Sequence, residues 1–412
     1  MLQGYSKKLF TKSALIILSL CLSSCSQVIT IKEGPSWSTY LGDNKRTNKS
    51  TVIFQKAPTI RSEYNLAPFF NAPEEINATP IIEKGVLYTS LGTNKFSATK
   101  ISTGEKLWSF KARSVINGAP TLSEKIVLVG SSRGVLYCLE KKTGKELWSF
   151  QTLSEVISAP LIAEKNIYVA STDGRIYDLQ KKTGKKIWSY KNSSLKTSLL
   201  KSNSSLLLSG DSLYYVFSDG TLLSLNVKSG AREWKNQILK RPIDTNHRRR
   251  TPVLDSEAEL LYLIDDAGFL KSFEAASGKE VRTFSKPNSI IDFSLLGDKL
   301  IIATSEKLYL VNKKTGKELW SSIINKDEKA TIKVSSLLVS DKDAVVFINR
   351  EDKIKGMDIF TKFKGEVHAF NIKDGSLAWS LKIDEPFLGR AVTHGGVLSF
   401  ITSKGKLNIL AP

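Results

Sequence analysis

Seven copies of one phrase, four strand-sized segments per copy, and spare strands at the two ends of the chain, one before the copies and three after them, predict an all-β fold. The expected architecture is an eight-bladed β-propeller of four-stranded antiparallel blades, closed by an N-terminal strand completing the C-terminal blade. The phrase reads Thr103-Gly104-Glu105-Lys106-Leu107-Trp108, then Thr143-Gly144-Lys145-Glu146-Leu147-Trp148, then Thr183-Gly184-Lys185-Lys186-Ile187-Trp188. It returns over residues 229–234, 277–282, 315–320 and 374–379, with Arg282 standing where the others have Trp. The Gly-to-Gly steps are 40, 40, 46, 48, 38 and 59 residues, a spacing suited to propeller blades.

The second copy shows how each unit divides. Ala119-Pro120-Thr121-Leu122 starts an inner strand, Ile126 to Val129 is a wholly apolar strand, and Gly134 to Leu139 is the third, entered by a tight turn. Thr143-Gly144 then turns the chain into the alternating Leu147-Trp148-Ser149-Phe150. Glycine supplies the positive φ that such a turn needs. One blade cannot bury both of its faces, so the ring has to close. After Trp379 the chain holds strand patterns at residues 390–393, 397–401 and 406–410, three strands without a fourth. The alternating segment from Thr59 to Leu66 can supply it.

Ahead of the repeats stands a leader. Lys7, Lys8 and Lys12 precede the apolar run from Ala14 to Leu22, which at nine residues is too short for a spanning helix of about 20. The pattern predicts a signal peptide over residues 1–24, a polar tether over 25–55 and the propeller over 56–412. Leu22-Ser23-Ser24-Cys25 resembles a bacterial lipobox, which implies that Cys25 carries the lipid and anchors the chain stably. Ser26, in place of Asp, implies passage to the periplasmic face of the outer membrane.

Composition fits a globular body, at 41% hydrophobic and 24% charged residues. The formal net charge is +20, and loss of the leader's three lysines would lower it to +17. Such an excess suits an anionic polymer or lipid as an alternative partner. The lysines recur in turns, however, as at Lys141, Lys142 and Lys145, where charge commonly serves solvation. No nucleic-acid partner is expected.

The residues do not suggest catalysis. Cys138 is the one cysteine of the body, and His247, His368 and His394 lack metal-ligand spacing. His368 lies in a strand pattern and reads as structural, while Asp265-Asp266 reads as a turn. No nucleophile elbow or P-loop is present. The expectation is a binding protein without cofactor or metal.

In a propeller the irregular loops carry function. Trp108 to Pro120 and Trp148 to Pro160 each span 12 residues, but Trp234 to Pro252 spans 18. That longer loop holds Asp244, Asn246, His247, Arg248, Arg249 and Arg250. The preceding inter-blade loop holds Leu195 and Lys196 in polar surroundings, and both loops should leave one rim of one face. A third irregularity, from Asn349 to Lys364, mixes Ile354, Met357, Ile359, Phe360 and Phe363 with charges and suits an amphipathic contact or a packed flap.

The Thr-Gly-Lys-x-x-Trp phrase resembles the pyrroloquinoline-quinone-type propeller repeat, in which the Trp packs over the turn of the next blade. Some proteins of that superfamily are quinone-dependent dehydrogenases, an alternative reading that expects a Ca²⁺ site and a vicinal cysteine pair not visible here. A lipobox joined to eight such blades is similar to the BamB family of outer-membrane assembly lipoproteins. The resemblance implies a monomer within a larger complex, held to the POTRA domains of a BamA-like protein by two successive inter-blade loops. Leu195 and Lys196 stand in the region of one family element, with Lys for Arg. Asp244 and Asn246 stand near the other, ahead of Thr251-Pro252-Val253, with Asn for the second Asp. Arg248 and Arg249 flank that contact.

Overall fold

The structure, a computed structural model, describes residues 41, 50, 54, 56–65, 79–90, 93–193, 204–238, 251–284, 287, 289–325, 330–354, 357–394 and 396–411. Its strands form eight four-stranded antiparallel sheets. Blades 1 to 7 cover residues 81–111, 121–151, 161–191, 207–237, 253–284, 292–323 and 331–383 in chain order. Blade 8 combines Phe387–His394, Val397–Thr402 and Lys406–Ala411 with Thr59–Asn65 as its outermost strand. The expected fold is therefore the observed one.

Burial follows from position in the blade. In blade 2 the second strand, Ile126–Gly130, is buried throughout, whereas the outermost, Glu146–Gln151, alternates between half-buried and exposed. Apolar residues of neighbouring blades share one core: Tyr88, Phe96 and Trp108 of blade 1 pack with Val127, Val129 and Tyr137 of blade 2. This sheet-on-sheet burial is what a lone blade lacks.

The repeated phrase builds each seam. Trp108, Trp148, Trp188, Trp234 and Trp320 donate their indole N–H to a backbone carbonyl of the next blade at 2.8–3.2 Å. Each acceptor lies three residues before a turn glycine. Gly144 shows why that residue is glycine: its φ is +72°, and a Cβ there would overlap the Trp108 ring.

The ring closes with the same parts differently connected. Thr59 pairs with Ala411 and Asn65 with Lys406 across the N- and C-terminal strands. Tyr64 takes the Trp position, lying on Gly104 of blade 1. Trp379 of blade 7 donates instead to the Phe54 carbonyl at 2.8 Å. Phe54 itself is buried in the core shared by blades 7, 8 and 1.

The blade 7 irregularity is a hairpin continuous with the blade. Its two middle strands, Asp343–Ile354 and Met357–Asn371, simply continue past the rest of the blade as a long hairpin. Asn349 fixes the hairpin base, its Nδ2 donating to the Phe387 carbonyl at 3.0 Å and its Oδ1 accepting the Phe387 N–H at 2.7 Å. In blade 8 a bulge between Leu388 and Val392, with Gly389 at φ +71°, carries Arg390 across to Asp292 of blade 6 at 2.5 Å.

Candidate protein-docking face

A ring of meandering antiparallel blades has two faces. Connections from first to second and from third to fourth strand lie on one, here termed the turn face. Connections from second to third strand and from blade to blade lie on the other, the loop face. All three irregular segments, residues 194–203, 239–250 and the blade 7 hairpin, belong to the loop face.

Leu195, Lys196, Asp244, Asn246, Arg248 and Arg249 lie outside the described residues, as does Cys25. The stems that carry the loops are described. The first loop leaves the outermost strand of blade 3, Lys186–Lys191, and returns at Ser204; the second leaves Arg232–Gln237 and returns at Thr251. Ser205 N–H donates to Thr251 Oγ1 at 3.0 Å, and both residues are buried. The two loops thus return to the ring side by side.

The departing stem is equally fixed. Buried Asn192 donates to Asp219 Oδ2 at 3.1 Å, and Lys235 donates to Asn192 Oδ1 at 3.4 Å. Asp219 Oδ1 accepts the Thr221 N–H at 2.9 Å, and Ile238 N–H donates to the Gly220 carbonyl at 3.0 Å. This network ties blade 3 to blade 4 directly beneath the loops. Loops on rigid stems are a common way to present a recognition element.

Sequence reasoning missed Leu153. It lies on the preceding inter-blade loop of the same face and is 73% exposed. The available signal was an apolar residue in a polar loop, the feature that singled out Leu195. At the loop-face ends of the second strands of blades 3 and 4, Ile157, Ser158, Thr172, Tyr215 and Phe217 line a crevice of roughly one water's size.

Cys138, His368 and Asp265 are built into the frame. Cys138 is buried, which pushes its thiol up to about 12. His368 pairs with Glu366 at 3.1 Å, an interaction that holds the Glu366 carboxyl below its usual value. Asp265 Oδ1 accepts the Phe269 N–H at 2.8 Å, closing the expected turn. Among the described residues, no group of three or more His, Cys, Asp or Glu is placed to hold a metal ion.

Repeat, seam and ring together define a propeller of the pyrroloquinoline-quinone-type repeat class. The family model described as outer membrane protein assembly factor BamB matches residues 94–322 and 258–407. The chain belongs to that family. Among solved structures, BamB from Moraxella catarrhalis is 17% identical with a TM-score of 0.65, covering 86% of this chain and 100% of its own. Quinohemoprotein alcohol dehydrogenase from Comamonas testosteroni is 12% identical with a TM-score of 0.67, covering 91% of this chain and 80% of its own. A europium-containing methanol dehydrogenase is 12% identical with a TM-score of 0.67, covering 93% and 100%. At these identities the likenesses report the fold. No curated protein matches the chain by sequence.

Proposed function

We propose that the chain is a lipid-anchored periplasmic scaffold subunit of an outer-membrane β-barrel assembly machine. In this reading Cys25 carries the anchor, and the loop face docks the POTRA domains of a BamA-like protein. The loops bearing Leu195, Lys196, Asp244, Asn246, Arg248 and Arg249 supply the contact, with Leu153 beside them.

The observation that carries the reading is the pairing of those loops. They sit on adjacent seams of one face, and the Ser205–Thr251 hydrogen bond joins their stems. Family membership supports the assembly role, since the family's description is that of an assembly factor. The work of such a protein is binding, so no catalytic group or cofactor is assigned.

Crosslinking followed by co-purification from native membranes tests the proposal. The expected result is recovery of a BamA-like protein with the tagged lipoprotein, reduced when Asp244 is reversed in charge. Recovery of no such partner after crosslinking overturns it.

A further inference from the structure

We propose that the lysine-bearing turns of blades 2 and 3 contact anionic lipid headgroups and lay the turn face against a membrane. This rests on the reading of a membrane-anchored chain and adds which face meets the bilayer.

The first observation is where the N-terminal segment joins the ring. Ser50 N–H donates to the Val339 carbonyl at 2.7 Å, at the turn-face end of the innermost strand of blade 7. Its hydroxyl donates to Thr393 Oγ1 at 3.2 Å, at the same end of the innermost strand of blade 8. Phe54 then meets Trp379, and Thr59 starts the outer strand of blade 8 opposite Ala411. The chain therefore enters the ring on the turn face, at the seam of blades 7 and 8.

The second observation is how charge is spread over that face. Lys142 and Lys145 of blade 2 and Lys165, Lys182, Lys185 and Lys186 of blade 3 are all exposed. None of the six has a carboxylate within 4.0 Å among the described residues. Glu124, Glu146 and Glu164 share the sector and leave it net positive. Two turn lysines, one half-buried and one buried, are paired, Lys141 with Glu83 at 2.5 Å and Lys313 with Asp255. Blades 5 and 6 also expose Lys279, Lys314 and Lys317, so it is the density of lysines on blades 2 and 3 that sets this sector apart. Past blade 4, blade 5 carries exposed Glu257, Glu259 and Glu274 on the same face, with Lys279 beside them.

Geometry joins the two observations. In a ring of eight, blade 3 stands opposite blade 7, so the chain entry and the lysine cluster hold opposite sides of one face. A membrane on that side leaves the loop face free for a protein partner. Lysine suits the task, because a compact charge on a flexible stem needs no fixed ligand geometry. Each lysine near an anionic leaflet strengthens association about fivefold, so three together account for about a hundredfold.

The test uses the lipidated chain on phosphatidylcholine vesicles with and without phosphatidylglycerol. A fluorophore is placed at Glu164→Cys on the turn face or Leu153→Cys on the loop face, with a lipid-borne quencher; buried Cys138 stays unlabelled. Flotation with pure phosphatidylcholine reports the anchor alone. The expected result is quenching at position 164 in phosphatidylglycerol vesicles, relieved by salt, and none at position 153. The triple substitution Lys182→Gln, Lys185→Gln and Lys186→Gln should remove that quenching and weaken the salt-sensitive association about a hundredfold. Equal quenching at both positions, or quenching at 164 that ignores salt and the substitutions, overturns the proposal and leaves the anchor standing. Failure to float with either vesicle overturns both.

Discussion

At the scale of the residue, the seam unit is one indole, one glycine and one carbonyl, and a departure from it should be measurable. At the blade 5–6 seam Arg282 replaces the indole and reaches the Thr315 carbonyl at 3.3 Å through Nη1. Its guanidinium lies 5.9 Å from the Phe284 ring. A Cβ on Gly316 would lie 3.6 Å from Arg282 Nη1 and from the Phe284 ring, a looser cover than the indole that lies directly on Gly144 or Gly184. Arg282→Trp should restore apolar burial and the seam hydrogen bond, stabilising the fold by about 1–2 kcal/mol. Denaturant titration would reveal this, and an unchanged midpoint would mean Phe284 already closes the seam. A second residue is Asp178, buried in blade 3 with both carboxylate oxygens within 2.9 Å of Asn166 Nδ2. Burial pushes its carboxyl up to about 6, against the Asn166 hydrogen bonds. The folded state then holds this proton more tightly than the unfolded one. Stability from this group is greatest below the unfolded value of about 4 and is lost as pH rises through about 6. Asp178→Asn should therefore raise the melting temperature at neutral pH and flatten its decline between those limits.

At the scale of the element, closure depends on a strand far from its partners in sequence. The Trp379–Phe54 bond joins residues 325 apart, and Tyr64 covers Gly104 as a tryptophan would. Trp379→Phe keeps most of the ring packing but leaves the Phe54 carbonyl without its indole donor. The expected loss is about 1–3 kcal/mol, with earlier proteolysis of the Thr59–Asn65 strand than of any other blade element. Uniform protection of that strand in both proteins would argue against it. The blades and this closing strand were legible because period-two alternation and turn glycines are local signals. The blade 7 hairpin was not. Arg350, Asp352 and Lys364 pair with one another there, Arg350 Nε lying 2.5 Å and Lys364 Nζ 3.4 Å from Asp352. The described residues of its extension, 350–352 and 361–364, are half-buried or exposed, so the apolar alternation that marks a core strand is missing there. The Arg390–Asp292 bridge was equally unreadable, since a bulge in blade 8 creates it against a residue 98 positions away.

At the scale of the whole molecule, the ring is the rigid part and the loop face the variable part. Loop lengths identified that face in the sequence, but which side chains project from it depends on a partner's surface and not on the repeat. The proposed polar anchor is Asp244. Its segment runs 18 residues from Trp234 to Pro252 against 12 at the early seams, so it has length to project beyond the blade rim. Its stems are held by the Asn192–Asp219–Lys235 network on one side and by Ser205–Thr251 on the other. A carboxylate on such a mount can accept charge-assisted hydrogen bonds from a partner's arginine or backbone N–H groups. Asp244→Arg should remove those bonds and weaken the complex about tenfold to a hundredfold. Because no blade strand is touched, the melting temperature should not change. Arg248 and Arg249 act differently in this scheme, as charges at the rim of the contact that speed encounter. Arg248→Glu with Arg249→Glu should slow association and reduce its salt dependence while leaving dissociation close to wild type. Binding kinetics of the three proteins against the captured partner separate these roles. Wild-type affinity in Asp244→Arg would move the anchor elsewhere on the loop face, and the blade 7 hairpin, with Phe363 half exposed near its end, is then the segment to substitute.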